Sequence, residues 1–505
     1  MRRYWMTGSQ ERPRLTMSKS IVQRFLPIFG SKTIGVFAAF LSTPIIVRIL
    51  GPERYGEYAF MLSVLGILLL FVNAGVYDGI RKYLKEYNRP DGWKDQVLGF
   101  YGRLGFGLAL LTILTILVLV ETNVVADFLG QRFELYFLLV AGVVVTQQGF
   151  SIARSTLMGF DREDVSEKLM IANRLLAIFG GLGLILLGYG VPGLLAAKLL
   201  ANALLAGVGA VVMTRFVDLS QVLSSPHEDF PRRELLSFNV MSVVLFGLYT
   251  SIIHADIFLI QGYYGSTETG FYKAALNLAE FVWFVPRIVQ VALLHSTSEL
   301  WSEQRHERIT EISARVTRYS LLFTALLIIG LAILAEPTVA LYYGGAMQPA
   351  VLPLIILLPG AMGFAVARPI LAIGQGKGEF RYLILATGGA AAVNLGLNLL
   401  LIPRYGIVGA AVATSTGYFS MLVFHVAGAR NIGFDPLADL RLPKVAVTMA
   451  VAGIALLGLA SQITSPLLSM VVIPPTGFLL YWAIAVAAGA ISLEEVRELR
   501  TQVPL

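Results

Sequence analysis

Apolar runs long enough to cross a bilayer recur from residue 25 almost to the end of this chain, and stretches between them reappear about 214 residues later. Gly51-Pro-Glu-Arg-Tyr-Gly56-Glu-Tyr58 aligns with Gly265-Ser-Thr-Glu-Thr-Gly270-Phe-Tyr272, Ala153-Arg154 with Ala367-Arg368, and Tyr189-Gly190-Val-Pro-Gly193 with Tyr405-Gly406-Ile-Val-Gly409. An apolar stretch of about 20 residues spans the hydrocarbon core, because each helical residue rises about 1.5 Å against about 30 Å of lipid. With 56% hydrophobic and 14% charged residues, the chain has too much apolar surface for a soluble fold. The runs are continuous rather than alternating, which selects helices over a barrel. There is no cysteine, which excludes disulfides and thiolate chemistry.

The expected fold is all-α, a polytopic membrane protein of about fourteen transmembrane helices. A basic tail, 1–23, precedes a first six-helix lobe, 24–216. A polar connection, 217–234, leads to a second lobe, 235–430, and then to two appended helices, 443–491, and a tail, 492–505. Lys and Arg crowd alternate connections: Arg81, Lys82, Lys85, Arg89 and Lys94 lie in one, and Arg305, Arg308 and Arg315 in another. The intervening connections hold only Arg54, Arg132 and Arg404. The positive-inside rule makes the rich set cytoplasmic, and both termini with it. Six spans per copy is even, so the two lobes are expected to form a parallel repeat about an axis along the membrane normal. No apolar core follows the first residues until after Arg24, so a secretory signal is not expected, and Met1 and Met17 remain alternative starts. The net charge of +7 is spread over many short loops, which fits anionic headgroups rather than nucleic acid.

Intramembrane polar residues mark the candidate site. Lys273, Asn277, Glu280, Arg287 and Gln290 follow spacings compatible with one helix face. Each charge at such depth costs roughly 2.5–3.5 kcal/mol on insertion scales, so a stripe of them calls for water, cargo or a partner helix. Lys32 and Arg48 on the first span, and Lys198 with Asn202 on the sixth, are candidates for the same cavity, and Pro44 for a bend between the first two. Arg154 and Arg368 occupy matching inner ends of the two copies, as snorkelling residues or as an inner gate. A cavity with several cations and few acids favours phosphate or pyrophosphate. Lys32, Arg48, Lys198, Lys273 and Arg287 are therefore the expected headgroup contacts, with Asn277, Gln290 and Asn202 as polar lining. Glu280, between two cations near mid-membrane, is a candidate ion carrier or a counter-ion to the stripe. Asn394 and Asn398, one turn apart, read as interhelical hydrogen-bonding residues ahead of ligand contacts, and Trp283 with Phe284 as packing ahead of stacking on sugar rings.

The segment Ile49-Leu-Gly-Pro-Glu-Arg-Tyr-Gly-Glu-Tyr-Ala59 resembles the first external turn of prokaryotic polysaccharide and oligosaccharide-lipid flippases. These belong to the multidrug, oligosaccharidyl-lipid and polysaccharide exporter superfamily. Asn394 through Thr414 is similar to that superfamily's second-lobe signature, and Asp256 looks like its acidic position at the outer end of span 7. The resemblance implies a two-lobed, alternating-access flippase of the cell membrane. It would carry a polyprenyl-(pyro)phosphate-linked glycan from the cytoplasmic to the external leaflet, with Asp256 a second candidate for ion coupling. Membrane lipids and glycan polymerase or glycosyltransferase machinery are the implied surroundings, and a monomer the implied state. An ion-coupled exporter of drugs or other small solutes from the same superfamily is the alternative. An enzyme is not expected: the external connections are short, the histidines lack ligand spacing, and Gly374-Gln-Gly-Lys-Gly378 lacks the hydroxyl of a phosphate loop. No metal or cofactor is expected.

Overall fold

The computed structural model describes residues 21–73, 75–86, 89–218, 222, 230–495 and 497, and side chains outside 21–34, 36, 241, 242, 245 and 295. Most of the expected tails and of the 217–234 connection lie outside these residues, as does the side chain of Lys32. Eleven of the described helices are long and apolar enough to cross a membrane. No strand occurs among the described residues. In hydrocarbon every backbone N–H and C=O must be satisfied within its own segment, and the helix alone does this for such runs.

The first lobe consists of α1 (Ile21–Asn73), the short α2 (Val76–Tyr83), α3 (Trp93–Glu121), α4 (Val124–Leu129), α5 (Arg132–Gly159), α6 (Glu163–Leu186) and α7 (Gly190–Met213). The second holds α8 (Arg232–Tyr264), α9 (Ser266–Glu280), α10 (Phe284–Ser302), α11 (His306–Ile333), α12 (Ala335–Tyr343), α13 (Val351–Lys377) and α14 (Phe380–Ile432). The appended α15 (Leu442–Ala460) and α16 (Pro466–Ala487) pack on α11 through Val445, Ala452, Tyr481 and Ala485.

Two junctions that read as separate turns in the sequence are single glycine kinks inside continuous helices. Gly51 in α1 has φ 71° and ψ 176°, and Gly406 in α14 has φ 55° and ψ −136°. Both sit in the positive-φ region where a side chain clashes, so one residue reverses the chain and helix resumes at once. The connection around 336–350 is itself helical, as α12 and a 3-10 segment, Gly345–Ala350.

One large core joins the lobes. Val47, Leu50 and Met61 of α1 pack with Ile257 and Ile260 of α8, Tyr272 of α9 and Leu357 of α13. Phe60 meets Phe258 at 5.2 Å between centroids, and His254 Nδ1 lies 3.1 Å from the Ser63 hydroxyl. At the basic face a second cluster joins the lobes: Tyr83, Trp93 and Tyr101 pack on Phe230 and Leu235 at the start of α8. There Arg89 pairs with Glu234 at 3.2 Å, and the Tyr101 hydroxyl lies 3.1 Å from Asn239 Oδ1.

Candidate functional site

Between the lobes lies a cavity of about 400 Å³, walled by α1, α6, α8, α9, α10, α12 and α13. Its position follows from a break in the polar stripe. Pro286 has no N–H to give the Val282 carbonyl, and the chain tightens into a 3-10 turn at Phe281–Trp283 just before it. Asn277 and Glu280 on one side of the turn, and Arg287 beyond it, all line the cavity.

Three guanidiniums and one carboxylate meet there. Arg368 is 6% exposed; it donates to Gln290 Oε1 at 3.0 Å and reaches the Tyr249 hydroxyl at 3.5 Å. Its guanidinium lies 4.6 Å from the Phe364 ring and 5.2 Å from Trp283, so aromatic faces hold the charge that few acids neutralise. Arg174 of α6 and Arg287 reach the same space. Glu280 Oε1 is buried and accepts no hydrogen bond among the described residues. Asn277 donates to the Tyr55 hydroxyl across the lobes at 2.7 Å. Phe40, Phe281, Trp283 and Phe284 supply an apolar wall. Such a volume suits an anionic group attached to an apolar or sugar body.

Other expected residues stand apart from this lining. Arg48 is exposed, and its guanidinium donates to the Leu341 carbonyl. Lys198 and Lys273 are half-buried outside the lining, and buried Asn202 accepts from Asn173 at 2.9 Å. Arg154 pairs with Glu167 at 3.3 Å within the first lobe and donates to the Ser166 carbonyl, so it does not mirror Arg368 in the cavity. Asp256 is fully buried at the centre of a second polar cluster. It accepts from the Tyr272 hydroxyl at 2.6 Å, the Thr414 hydroxyl at 3.2 Å and its neighbour's backbone N–H at 2.8 Å. Asn394 reaches Thr414, Asn398 donates to Asn394 at 3.1 Å, and Asn398 Oδ1 is buried without a partner among the described residues. Among the described residues no group of three or more His, Cys, Asp or Glu forms a metal cluster.

Arg174 and Tyr249 are lining residues the sequence reading missed. The signal for Arg174 was its place inside an apolar run of the first lobe, now α6, the same depth argument that flagged Lys198.

A family model described as a polysaccharide biosynthesis protein matches residues 45–352. A probable low-salt glycan biosynthesis flippase of Haloferax volcanii is 24% identical over 412 residues, 79% of this chain and 81% of its own. The succinoglycan biosynthesis transport protein ExoT of Rhizobium meliloti is 28% identical over 383 residues, 72% of each chain. The solved structure of the lipid II flippase MurJ in an inward closed conformation superposes with a TM-score of 0.73 at 12% identity. That match covers 92% of this chain and 98% of the other. A multidrug resistance transporter in an inward-facing conformation gives 0.66 at 17% identity, over 78% and 94%. These structural matches are likenesses of fold.

Proposed function

The chain belongs to the polysaccharide biosynthesis protein family, and from that premise we propose that it flips a lipid-linked glycan across the cell membrane by alternating access. The observation that carries this reading is the inter-lobe cavity, where Arg174, Arg287 and Arg368 face a single carboxylate. Guanidinium is the side chain best matched to phosphate, binding it through paired N–H donors. The phosphate or pyrophosphate of a polyprenyl-linked sugar would sit against these arginines, while its tail stays in lipid. An exporter of organic cations would call for the opposite sign in the same space. The names carried by the Haloferax and Rhizobium relatives, a glycan flippase and a succinoglycan transport protein, support the same cargo class.

The topology we propose has fourteen passes. The eleven candidate spans include α1 and α14, each divisible at its glycine kink, and α8 adds one more. With the basic connections inside, both termini are cytoplasmic and cargo moves outward. Spans 1–6 and 7–12 would then be related by about half a turn around the membrane normal. For ion coupling we favour Asp256 over Glu280, because the Tyr272 and Thr414 hydroxyls meet its buried carboxylate and the unpartnered Asn398 Oδ1 belongs to the same hydrogen-bonded cluster.

Deleting the gene tests the reading directly. A lipid-linked glycan should accumulate in the cytoplasmic leaflet, and the Arg287→Gln variant should fail to clear it. An unchanged leaflet distribution in the deletion strain rejects the function.

A further inference from the structure

We propose that α12 is the external gate of the cavity, built on one repeat only and bolted by Tyr342 to the helix that carries Pro44. The inference rests on the reading of the cavity as the cargo site and of its glycine-turn end as external.

Both repeats carry the same backbone device. α4 ends at Gly130 with φ 101° and ψ 154°, and α12 ends at Gly344 with φ 101° and ψ 161°, 214 residues later. The side chains just before the glycine differ. In the first repeat they are Phe128 and Leu129, and Phe128 is 84% exposed. In the second they are Tyr342 and Tyr343, and both line the cavity. The Tyr343 hydroxyl holds α12 to its own lobe by donating to the Ala274 carbonyl at 3.3 Å. Tyr342 crosses to the other lobe: its ring lies 5.0 Å from the Phe40 ring, and its hydroxyl donates to the Phe40 carbonyl. Arg48 adds a second crossing bond, to the Leu341 carbonyl.

The choice of Phe40 has a cause. Its carbonyl would normally accept the N–H four residues on, and that residue is Pro44, which has none. A bare carbonyl in a low-dielectric interior is costly, and the Tyr342 hydroxyl supplies the missing donor. Closure of α12 over α1 therefore satisfies a group that the proline left open. Opening returns that carbonyl to water. The first repeat's α4 lacks the hydroxyl, and it makes no contact of this kind among the described residues, so the gate is one-sided.

The chain has no cysteine, so Ala39→Cys places a single thiol in the cavity wall. Labelling it from outside intact cells with a membrane-impermeant maleimide reads the gate without any cargo. Tyr342→Phe, which keeps the ring, should raise the labelling rate about fivefold, the effect of one lost hydrogen bond, and Arg48→Gln should raise it as well. Phe128→Ala should leave it unchanged. In a Pro44→Ala background the new N–H satisfies Phe40, and the effect of Tyr342→Phe should shrink at least to about half. Unaltered labelling in both Tyr342→Phe and Arg48→Gln overturns the proposal, as does an equal rise in Phe128→Ala. Labelling that responds as stated while Arg287→Gln exports glycan normally keeps the gate and removes the phosphate reading.

Discussion

Gly56 and Gly270, equivalent positions of the two repeats, lie face to face with each pressed on the other's helix backbone. A Cβ on Gly56 would collide with the Ser266 carbonyl oxygen, and a Cβ on Gly270 with the Pro52 carbonyl oxygen. Gly51 and Gly265, five residues before each, share one conformation, φ 71° and ψ 176° against φ 81° and ψ −172°. The repeat seen in the sequence is thus a contact in space. The two lobes meet where each restarts a helix, and small residues allow the approach.

This seam makes the first prediction. Gly56→Val inserts a branched side chain where backbone already sits, at an overpacking cost of about 1–3 kcal/mol. The cost falls on the state in which the lobes touch there. Glycan export should drop by about tenfold while the protein still accumulates, and external labelling of Ala39→Cys should rise. Normal export in Gly56→Val would show that the seam is dispensable.

The second prediction separates two arginines that the repeat equates. Arg368 is in the cavity, stacked on Trp283 and Phe364, whereas Arg154 is paired with Glu167 inside the first lobe. Arg368→Gln should abolish export at normal protein levels, and Arg154→Gln should act on accumulation and thermal stability. Equal export defects at equal protein levels would restore a symmetric gate.

Much of this site was legible because helical spacing is rigid. Lys273, Asn277, Glu280, Arg287 and Gln290 read as one face, and Asn277, Glu280 and Arg287 line the cavity. Lys273 lies outside the lining, and Gln290 acts through Arg368, on the far side of a 3-10 turn that shifts the stripe's phase. Asn394 and Asn398 read as hydrogen-bonding residues, and they join the Asp256 cluster through Thr414. Arg48 was harder: depth alone does not say whether a long side chain reaches a cavity, lipid or a loop carbonyl. Its partner is the carbonyl of Leu341, 293 residues away, which no local pattern announces. The inter-lobe bond from Tyr342 to Phe40 was unreadable for the same reason, since Pro44 was read only as a bend and not for the carbonyl it leaves without an N–H.

The third prediction concerns coupling. Asp256→Asn keeps the shape of the buried cluster and removes its negative charge, so an ion bound there loses its main ligand. In vesicles with an imposed sodium or proton gradient, Asp256→Asn should transport at a rate that ignores the gradient. Glu280→Gln should retain the gradient response, since Glu280 stands among cavity arginines rather than in that cluster. The reverse outcome transfers the coupling role to Glu280.

The fourth prediction concerns how the appended helices are held, and it has a pH signature. Arg318 of α11 is fully buried and pairs with Glu495, just after α16, and with Asp439, just before α15. Arg441 joins both acids, at 3.4 Å from Glu495 and 2.9 Å from Asp439. Burial alone would raise the Glu495 carboxyl, but the Ser492 backbone N–H and the guanidiniums of Arg318 and Arg441 outweigh it and hold it below the usual carboxylate range. A carboxylate with a depressed folded-state pKa contributes stability that is complete above its unfolded pKa, about 4.3. That stability is lost as pH falls through the folded value. Removing the Glu495 charge also leaves the buried Arg318 guanidinium with Asp439 as its one remaining counter-charge among the described residues, at up to about 3–5 kcal/mol. Glu495→Gln should therefore lower the melting temperature in detergent at pH 7. The gap to the native chain should narrow as pH falls through and below the carboxylate range, because protonation removes from the native chain the charge that the variant already lacks. A gap that stays constant from pH 7 to about pH 3 would assign the effect of Glu495→Gln to packing instead of charge.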